Sequence, residues 1–307
     1  MSLNVLLQAV NLGLLWSVMA LGVFITFRIL NFADLTVEGS FVLGAAIAAP
    51  LIVAGVPPIV ATLLALVFGA AAGLITGFLH TVLKIPPLLS GILTMTGLFS
   101  INLRIMGVAN ISLGRGTTTL MDQVSGLLGG IPVRNASIVV GFIAVFIVIM
   151  LLRLFFNTEL GYAIRATGDN EPMVRAQGVN TNRMKVIGLM AGNACVALSG
   201  ALVAQTQGFA DVNMGVGTIV TGLAALIIGE VIFRDKNNYR VFVSVVFGAV
   251  IFFVIRALVL SIPWMDANDF RLFTAAMIAF ALALPMFRSK FNICLKKAVL
   301  GKNGGDE

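Results

Sequence analysis

Few groups in this chain are capable of chemistry, and most of them stand at the edges of long apolar runs. Glu38, Arg104, Glu230 and Arg256 fall within or at the ends of such runs. An ionisable side chain in an apolar setting is costly, so it marks a solute path, a paired charge or a head group reaching for the interface. Thr96, Ser100 and Arg104 recur every four residues and share one helix face. Two hydroxyls leading to a guanidinium suit a solute carboxylate, while the competing expectation is that Arg104 snorkels to the external interface. Arg256 has no such stripe, and snorkelling is expected of it. Glu230 is expected to pair with a basic residue such as Arg165 or Arg175, and Glu38 to cap or brace a broken helix beside Asp34. Asn193, Gln205 and Gln207 are candidates for a pathway or for interhelical hydrogen bonds.

Other chemistries find no support. No nucleophile–base arrangement is visible, and His80 is the only histidine, which excludes a His-rich metal site. Cys195 and Cys294 form neither a disulfide framework nor a metal pattern. A phosphate loop of the form GxxxxGK[ST] is missing; Gly301-Lys302 lacks both the preceding glycine and the following Ser or Thr. The chain is therefore expected to hold no metal or cofactor, to catalyse no reaction and to hydrolyse no ATP.

The elements that position these residues follow from composition. The 307 residues are 59% hydrophobic and 11% charged, and the mean hydropathy is +1.04. Soluble domains are roughly half apolar and a quarter charged. Several runs reach the roughly 20 apolar residues that a helix needs to cross a bilayer. They are continuous rather than alternating, which excludes barrel strands. The expected fold is an all-α polytopic membrane protein, a single unit over 1–307 with about nine spans (8–10). They lie near 5–27, 38–55, 59–79, 86–106, 136–156, 186–206, 216–233, 241–262 and 271–288. MSLNVLLQAVNLGLLW has no basic residue before its apolar run, so it reads as a first span rather than a signal peptide.

The 20 Lys and Arg residues orient these spans. With the N-terminus outside and the C-terminus cytoplasmic, only Arg104, Arg115, Arg134 and Arg271 fall outside, Arg256 lies within a span, and the rest fall inside. The net charge of +7 is thus a topology signal, and no nucleic-acid partner is expected. Residues 107–135 form an external segment rich in Gly, Thr and Ser, and 289–307 a cytoplasmic basic tail suited to anionic membrane lipid. Gly69, Gly73 and Gly77, and likewise Gly188 and Gly192, are spaced for close helix packing within the bundle, with subunit dimerisation as the sharper reading.

Between two spans, residues 157–185 carry the polar stretch ATGDNEPMVRAQGVN. Asp169 or Asn170 can cap a helix start, and Glu171 suits the positive end of its dipole. Pro172 is tolerated in a first turn, and Gly178 supplies a stop. About two turns of cytosolic helix are expected, and a long connection with structure of its own tends to be functional.

At these residues the chain resembles the permease subunits of bacterial ABC importers of the branched-chain amino acid and ribose group. IRATGDNEPMVRAQGVNTNRMK is similar to their cytoplasmic coupling loop, matching at Arg165, Ala166, Gly168, Asn170, Gly178 and Val179. RILNFADLTVEGSFVLGA (28–45) and DVNMGVGTIVTGLAALIIGE (211–230) resemble two further motifs of the group. After Glu230 the chain departs from many relatives by running into VIFRDKNNYR, so the likeness is closest to the less-characterised tryptophan/tyrosine-type branch. The resemblance implies a type II-importer-like fold in the bacterial inner membrane. It also implies two separate cytosolic ATPase subunits holding ATP and Mg, a second permease copy or paralogue, and an external solute-binding protein. In that family the short helix seats in a cleft of the ATPase; here it would be built from Arg165, Gly168, Asp169, Asn170, Glu171, Pro172, Arg175 and Gly178. The solute would be an amino acid, aromatic by preference.

FAD occurs twice, at Phe32–Asp34 and Phe209–Asp211, each time before a glycine-containing approach to a span. With Asp34 cytoplasmic and Asp211 external, this is the pattern of an inverted repeat with broken helices, which points to a transport path. Asp34, Glu38, Thr96, Ser100, Arg104, Asp211, Asn213 and Glu230 are the residues expected along it. Two other classes remain open to the sequence: a proton- or sodium-coupled secondary transporter working through Glu38 or Glu230, and a channel or scaffold without coupling.

Overall fold

A computed structural model describes residues 3–114, 116–233 and 238–261, with isolated positions 272, 275 and 276. Proline and glycine punctuate the helices as their backbone chemistry dictates. α1 (Leu3–Val23) runs on into a π-helical stretch, Phe24–Ile29, where Leu30 N donates to Ile25 O at 2.9 Å. α2 (Thr36–Val53) follows an extended climb. α3 (Pro58–Thr81) and α4 (Pro87–Met106) each start on a proline, whose missing N–H would have had no partner in a first turn. α4 ends at Gly107 in the left-handed conformation.

A short strand, β1 (Asn110–Ser112), then leads to α5 (Leu120–Leu127), which opens with a capping box between Thr119 and Asp122. α6 (Val133–Phe156), α7 (Glu159–Asp169), α8 (Glu171–Ala176) and α9 (Thr181–Gln207) come next. β2 (Phe209–Asp211), α10 (Thr218–Ile232) and α11 (Asn238–Leu260) complete the described chain.

Among the described residues, seven helices are long and apolar enough to cross a membrane. Among the described residues the expected count of about nine is not reached. α10 has only 15 residues, because the glycine-rich stretch before it stays irregular to Gly217 and uses up part of the expected span. The ninth span, 271–288, and the basic tail, 289–307, lie outside the described residues. Among the described residues the one exception to an all-helical fold is the antiparallel pair β1–β2, in which Ile111 faces Ala210, tying the segment after α4 to the second FAD triplet.

α9 is the axis of the bundle, since α1, α2 and α3 all pack against it; its apolar window is 72% buried, against 28% for α4 and for α6. Glycines let other helices close on it. Gly69, Gly73 and Gly77 of α3 face Asn193 and Ala197, Leu189, and Val186 in turn. Gly44 of α2 sits on Ala197, Gly200 of α9 sits on Phe41, and Gly22 of α1 faces Gly192. Both predicted glycine series therefore pack helices within the subunit. The contacts also exchange in a regular way: α2 and α3 pack together and on α9, while α10 and α11 pack together and on α1. Each helix before one FAD triplet thus holds the two helices that follow the other. Outward faces of α3, α4 and α6 remain apolar, with Val67, Phe99, Phe142 and Phe146 exposed, as helices facing lipid or a partner subunit require.

These contacts yield a paired test. A Cβ at Gly73 would fall on the backbone of Leu189, whereas one at Gly97 meets nothing. Gly73→Ala is expected to destabilise the purified chain by about 1–3 kcal/mol in thermal or denaturant unfolding, and Gly97→Ala to leave it unchanged or slightly firmer.

Candidate functional site

Between Ile29 and Thr36 the chain turns into the bundle instead of lying along its surface. Asn31 takes a positive φ of 52°, and Phe32 N donates to Thr26 O. This brings Asp34 to complete burial, against Asn193 midway along α9. Asp34 is therefore not a surface loop residue but a buried one, carried into the bundle by the irregular stretch after Ile29. Its Oδ1 accepts from Thr36 N at 2.9 Å and its Oδ2 from Asn193 Nδ2 at 2.7 Å. Asn193 Oδ1 accepts from Ser40 Oγ at 2.7 Å, and Nδ2 also reaches Leu189 O. Beside it, Thr36, Thr76 and Thr94 form a row of hydroxyls 2.7 and 3.0 Å apart, joining α2, α3 and α4.

The second FAD triplet makes the same turn in a different setting. Asp211 Oδ1 accepts from Asn213 N at 2.7 Å, as Asp34 does from the residue two ahead, but Asp211 is half-buried and its Oδ2 takes Asn110 Nδ2. Asn213 itself is exposed. From there the backbone runs to Gly215, which lies against the Glu38 carbonyl, and to Gly217, whose N–H donates to Glu38 Oε1 at 2.9 Å. Glu38 thus braces the start of α10 rather than the helix beside Asp34. A carboxylate there satisfies a free N–H and meets the positive end of the dipole.

A cavity of about 390 Å³ opens at this junction, lined by Glu38, Thr96 and Ser100 together with Asn102, Gly215 and Val216. Arg104 does not line it and is exposed. Eight residues at about 100° each leave it rotated by roughly 80° from Thr96, so the stripe drifts off the cavity. Asn102, not singled out in the sequence, is buried, donates to Gly39 O at 3.2 Å, and leaves its Oδ1 without a partner. It is one of the few amides inside an apolar run, and that was the available signal.

On the side of the bundle where α1 ends, α7 and α8 form a compact knob. The sequence suggested a single short helix; α7 is an additional one, begun by Thr158, whose hydroxyl accepts from Gly161 N. Asp169 closes α7, so the cap of α8 is Asn170, accepting from Met173 N at 3.1 Å. Pro172 lies in the first turn, and Gly178 follows the last with a φ of 85°. A Cβ at Gly168 would fall on the Ile29 carbonyl oxygen, so α7 rests directly on the π-helical turn of α1. Arg165 lies over the Phe156 ring at 4.9 Å.

Glu171 secures α8. Its Oε1 accepts from Arg175 at 2.8 Å and from Thr181 at 3.1 Å, and its Oε2 from Lys185 Nζ at 2.7 Å. The Lys185 hydrogen bond and charge, with help from Thr181 and Arg175, hold this carboxyl below the ordinary glutamate range despite partial desolvation. Lys185 also reaches His80 Nε2 at 3.4 Å, which makes His80 Nδ1 the donor to Ile85 O at 2.8 Å. The His80 ring packs edge-on to Phe32, 5.1 Å between centroids. Glu230 pairs with Arg28 at 2.8 Å, a partner the sequence did not suggest. Arg28 lies on the adjacent π-turn, whereas Arg175 is engaged by Glu171.

Known proteins resemble this chain over nearly its whole length. A family model described as "Branched-chain amino acid transport system / permease component" matches residues 5–282. A tyrosine transport system permease protein of Clostridioides difficile (strain R20291) is 41% identical over 292 residues, 95% of this chain and 94% of that protein. An uncharacterized protein of Rickettsia prowazekii (strain Madrid E) is 33% identical, over 92% of this chain and 98% of its own length. The autoinducer 2 import system permease protein LsrC of Yersinia pseudotuberculosis (serotype O:1b, strain IP 31758) is 27% identical over 55% of this chain and 46% of its own.

Two measurements check this geometry. Asn193→Ala removes the partner of a fully buried carboxylate and of Ser40, and is expected to cost about 3 kcal/mol in unfolding of the purified chain; Ser40→Ala should cost well under half of that. The α8 anchor is pH-dependent. Because folding depresses the Glu171 pKa, its contribution is fully present above the unfolded value and is lost as pH falls through the folded one. Amide protection over 171–178, taken relative to the intrinsic exchange rate at each pH, should therefore fall in acid, at and below the ordinary glutamate range, and Glu171→Gln should already show low protection at neutral pH.

Proposed function

Because the chain belongs to the family of permease components of branched-chain amino acid transport systems, we propose that it is the membrane-spanning half of an ATP-driven importer that draws its energy from separate subunits. It is a transport subunit and not an enzyme. The observation that carries the proposal is the α7–α8 knob: α8 is capped at Asn170, clamped by Glu171, and exposes Met173 and Arg175 outward. A short, rigid, polar projection suits docking as a solid body into a cleft of a cytosolic ATPase. Two such ATPases would hold ATP and Mg. The membrane unit would be completed by a second copy or paralogue, and an external binding protein would deliver the solute.

Movement entering at α8 has two routes inward. One passes through Gly168 onto Ile29 and the climb to Asp34; the other passes through Glu171 and Lys185 to His80, which touches Phe32. Both converge on the first FAD triplet, from which α2 leads on to Glu38 at the start of α10. Shifting that junction would open the cavity between α2 and α4 to one side of the membrane or the other. The solute is an amino acid in this reading, with tyrosine the first to try given the 41% identical relative. The orientation follows the basic residues, with the knob in the cytosol, the N-terminus outside and the C-terminus inside.

The test is uptake by cells or proteoliposomes containing the assembled transporter. Arg175→Glu, or deletion of 169–177, is expected to reduce ATP-dependent uptake at least about tenfold and to release the ATPase from a detergent pull-down, with insertion of the chain unchanged. Normal uptake and a retained ATPase would refute docking through α8.

A further inference from the structure

A second cavity, of about 440 Å³, sits where α1 begins and α9 ends, and shares no lining residue with the Glu38 cavity. That volume is within the roughly 300–1,000 Å³ common for small-molecule sites. Three helices supply its polar wall: Gln8 and Asn11 from α1, Arg134 and Ser137 from α6, and Thr206 and Gln207 from α9. Part of this wall is already fixed. Asn11 Nδ2 donates to Ser137 Oγ at 2.8 Å, and Ser137 and Thr206 are 3.3 Å apart.

The charge is not balanced. Arg134 is the one charged side chain of the lining among the described residues, and no carboxylate faces it there. Its Nη1 donates to Asn4 Oδ1 at 2.8 Å, a neutral acceptor, while its Nε is buried with no acceptor at all. The helix that carries it opens at Pro132 without a side-chain cap, so the positive end of the α6 dipole adds to the same field. A buried guanidinium N–H without a partner, in a roomy polar cavity, asks for an anion that brings its own oxygens.

We propose that this cavity is a binding site for a small organic carboxylate, with Arg134 as its cation and the Asn11–Ser137–Thr206 face orienting the rest of the ligand. Among the described residues the cavity has no acid to hold an ammonium group, so the carboxylate dominates recognition. That the carboxylate belongs to a transported amino acid rests on the function proposed above; the positive character of the cavity does not.

The probes are L-tyrosine, 3-(4-hydroxyphenyl)propionate, which lacks the amine, and tyramine, which lacks the carboxylate. Binding of each is measured on the full chain in lipid nanodiscs, for the natural sequence, Arg134→Gln, Arg134→Lys and Arg104→Gln. Both carboxylates should bind and tyramine should not. Arg134→Gln should weaken the carboxylates by about tenfold or more, with Arg134→Lys intermediate and Arg104→Gln unchanged. Tyramine binding as well as tyrosine, equal binding by Arg134→Gln, or no carboxylate binding by the natural chain would each overturn the site. If Arg134→Gln does not fold, the three-probe comparison on the natural chain and the Arg134→Lys series decide alone. Uptake separates the two claims: tyrosine uptake that survives Arg134→Gln while carboxylate binding is lost upholds the site and removes it from the transport path. Carboxylate binding in a chain whose transporter takes up no amino acid upholds the site and sinks the transport reading.

Discussion

A backbone that breaks its helix in an apolar setting must find partners for every N–H and C=O it frees, and this fold depends on how that is met in two places. At the first break, Asn193 supplies the answer: its amide donates to Asp34 and accepts from Ser40, while Asp34 takes the N–H of Thr36. At the second, Glu38 takes the N–H of Gly217. One break is held by an amide from α9 and the other by a carboxylate from α2. Since α2 itself packs on α9, the two solutions are mechanically one. The glycine contacts are what allow it, because Asn193 reaches Asp34 and Ser40 only where α2 and α3 lie close against α9.

Much of the scaffold was legible in the sequence because the signals were long. An apolar run of twenty residues states its own conformation, and spans at 59–79, 86–106 and 136–156 match α3, α4 and α6 to within a few residues. The duplicated FAD marked two turns that share a hydrogen-bond pattern. The sequence did not show depth or partnership. Asp34 reads as a loop residue beside a basic flank, and nothing local announces that the short irregular stretch after Ile29 carries it inward. Glu38 and Gly217 are far apart in sequence, so their bond is a property of the packed bundle alone. Arg104 failed for a simpler reason: a four-residue spacing drifts around a helix that turns every 3.6. α7 was overlooked because its mean polarity hides a short amphipathic face that packs Ile164 and Thr167 inward.

The knob and the breaks are coupled through short contacts between few residues. Glu171 and Lys185 connect α8 to α9, Lys185 connects to the only histidine, and that histidine lies on the first FAD triplet. Gly168 gives a second, purely steric contact with the end of α1. A loop meant only to join two spans would need neither. Stiffness here is concentrated where a push from α8 would enter, while the outward faces of α3, α4 and α6 remain featureless and apolar.

The π-helical stretch at Phe24–Ile29 means that α1 holds one residue more than an uninterrupted α-helix of the same rise would hold. It is a spare link in the chain. A single-residue deletion between 24 and 29 can be absorbed by relaxing that stretch to ordinary α geometry, leaving the glycine and alanine faces upstream in register with α9 and α11. The same deletion anywhere earlier in α1 would rotate those faces by about 100° against their neighbours. The first span should therefore tolerate a change of length at one end and nowhere else, and that end is the one on which α7 rests.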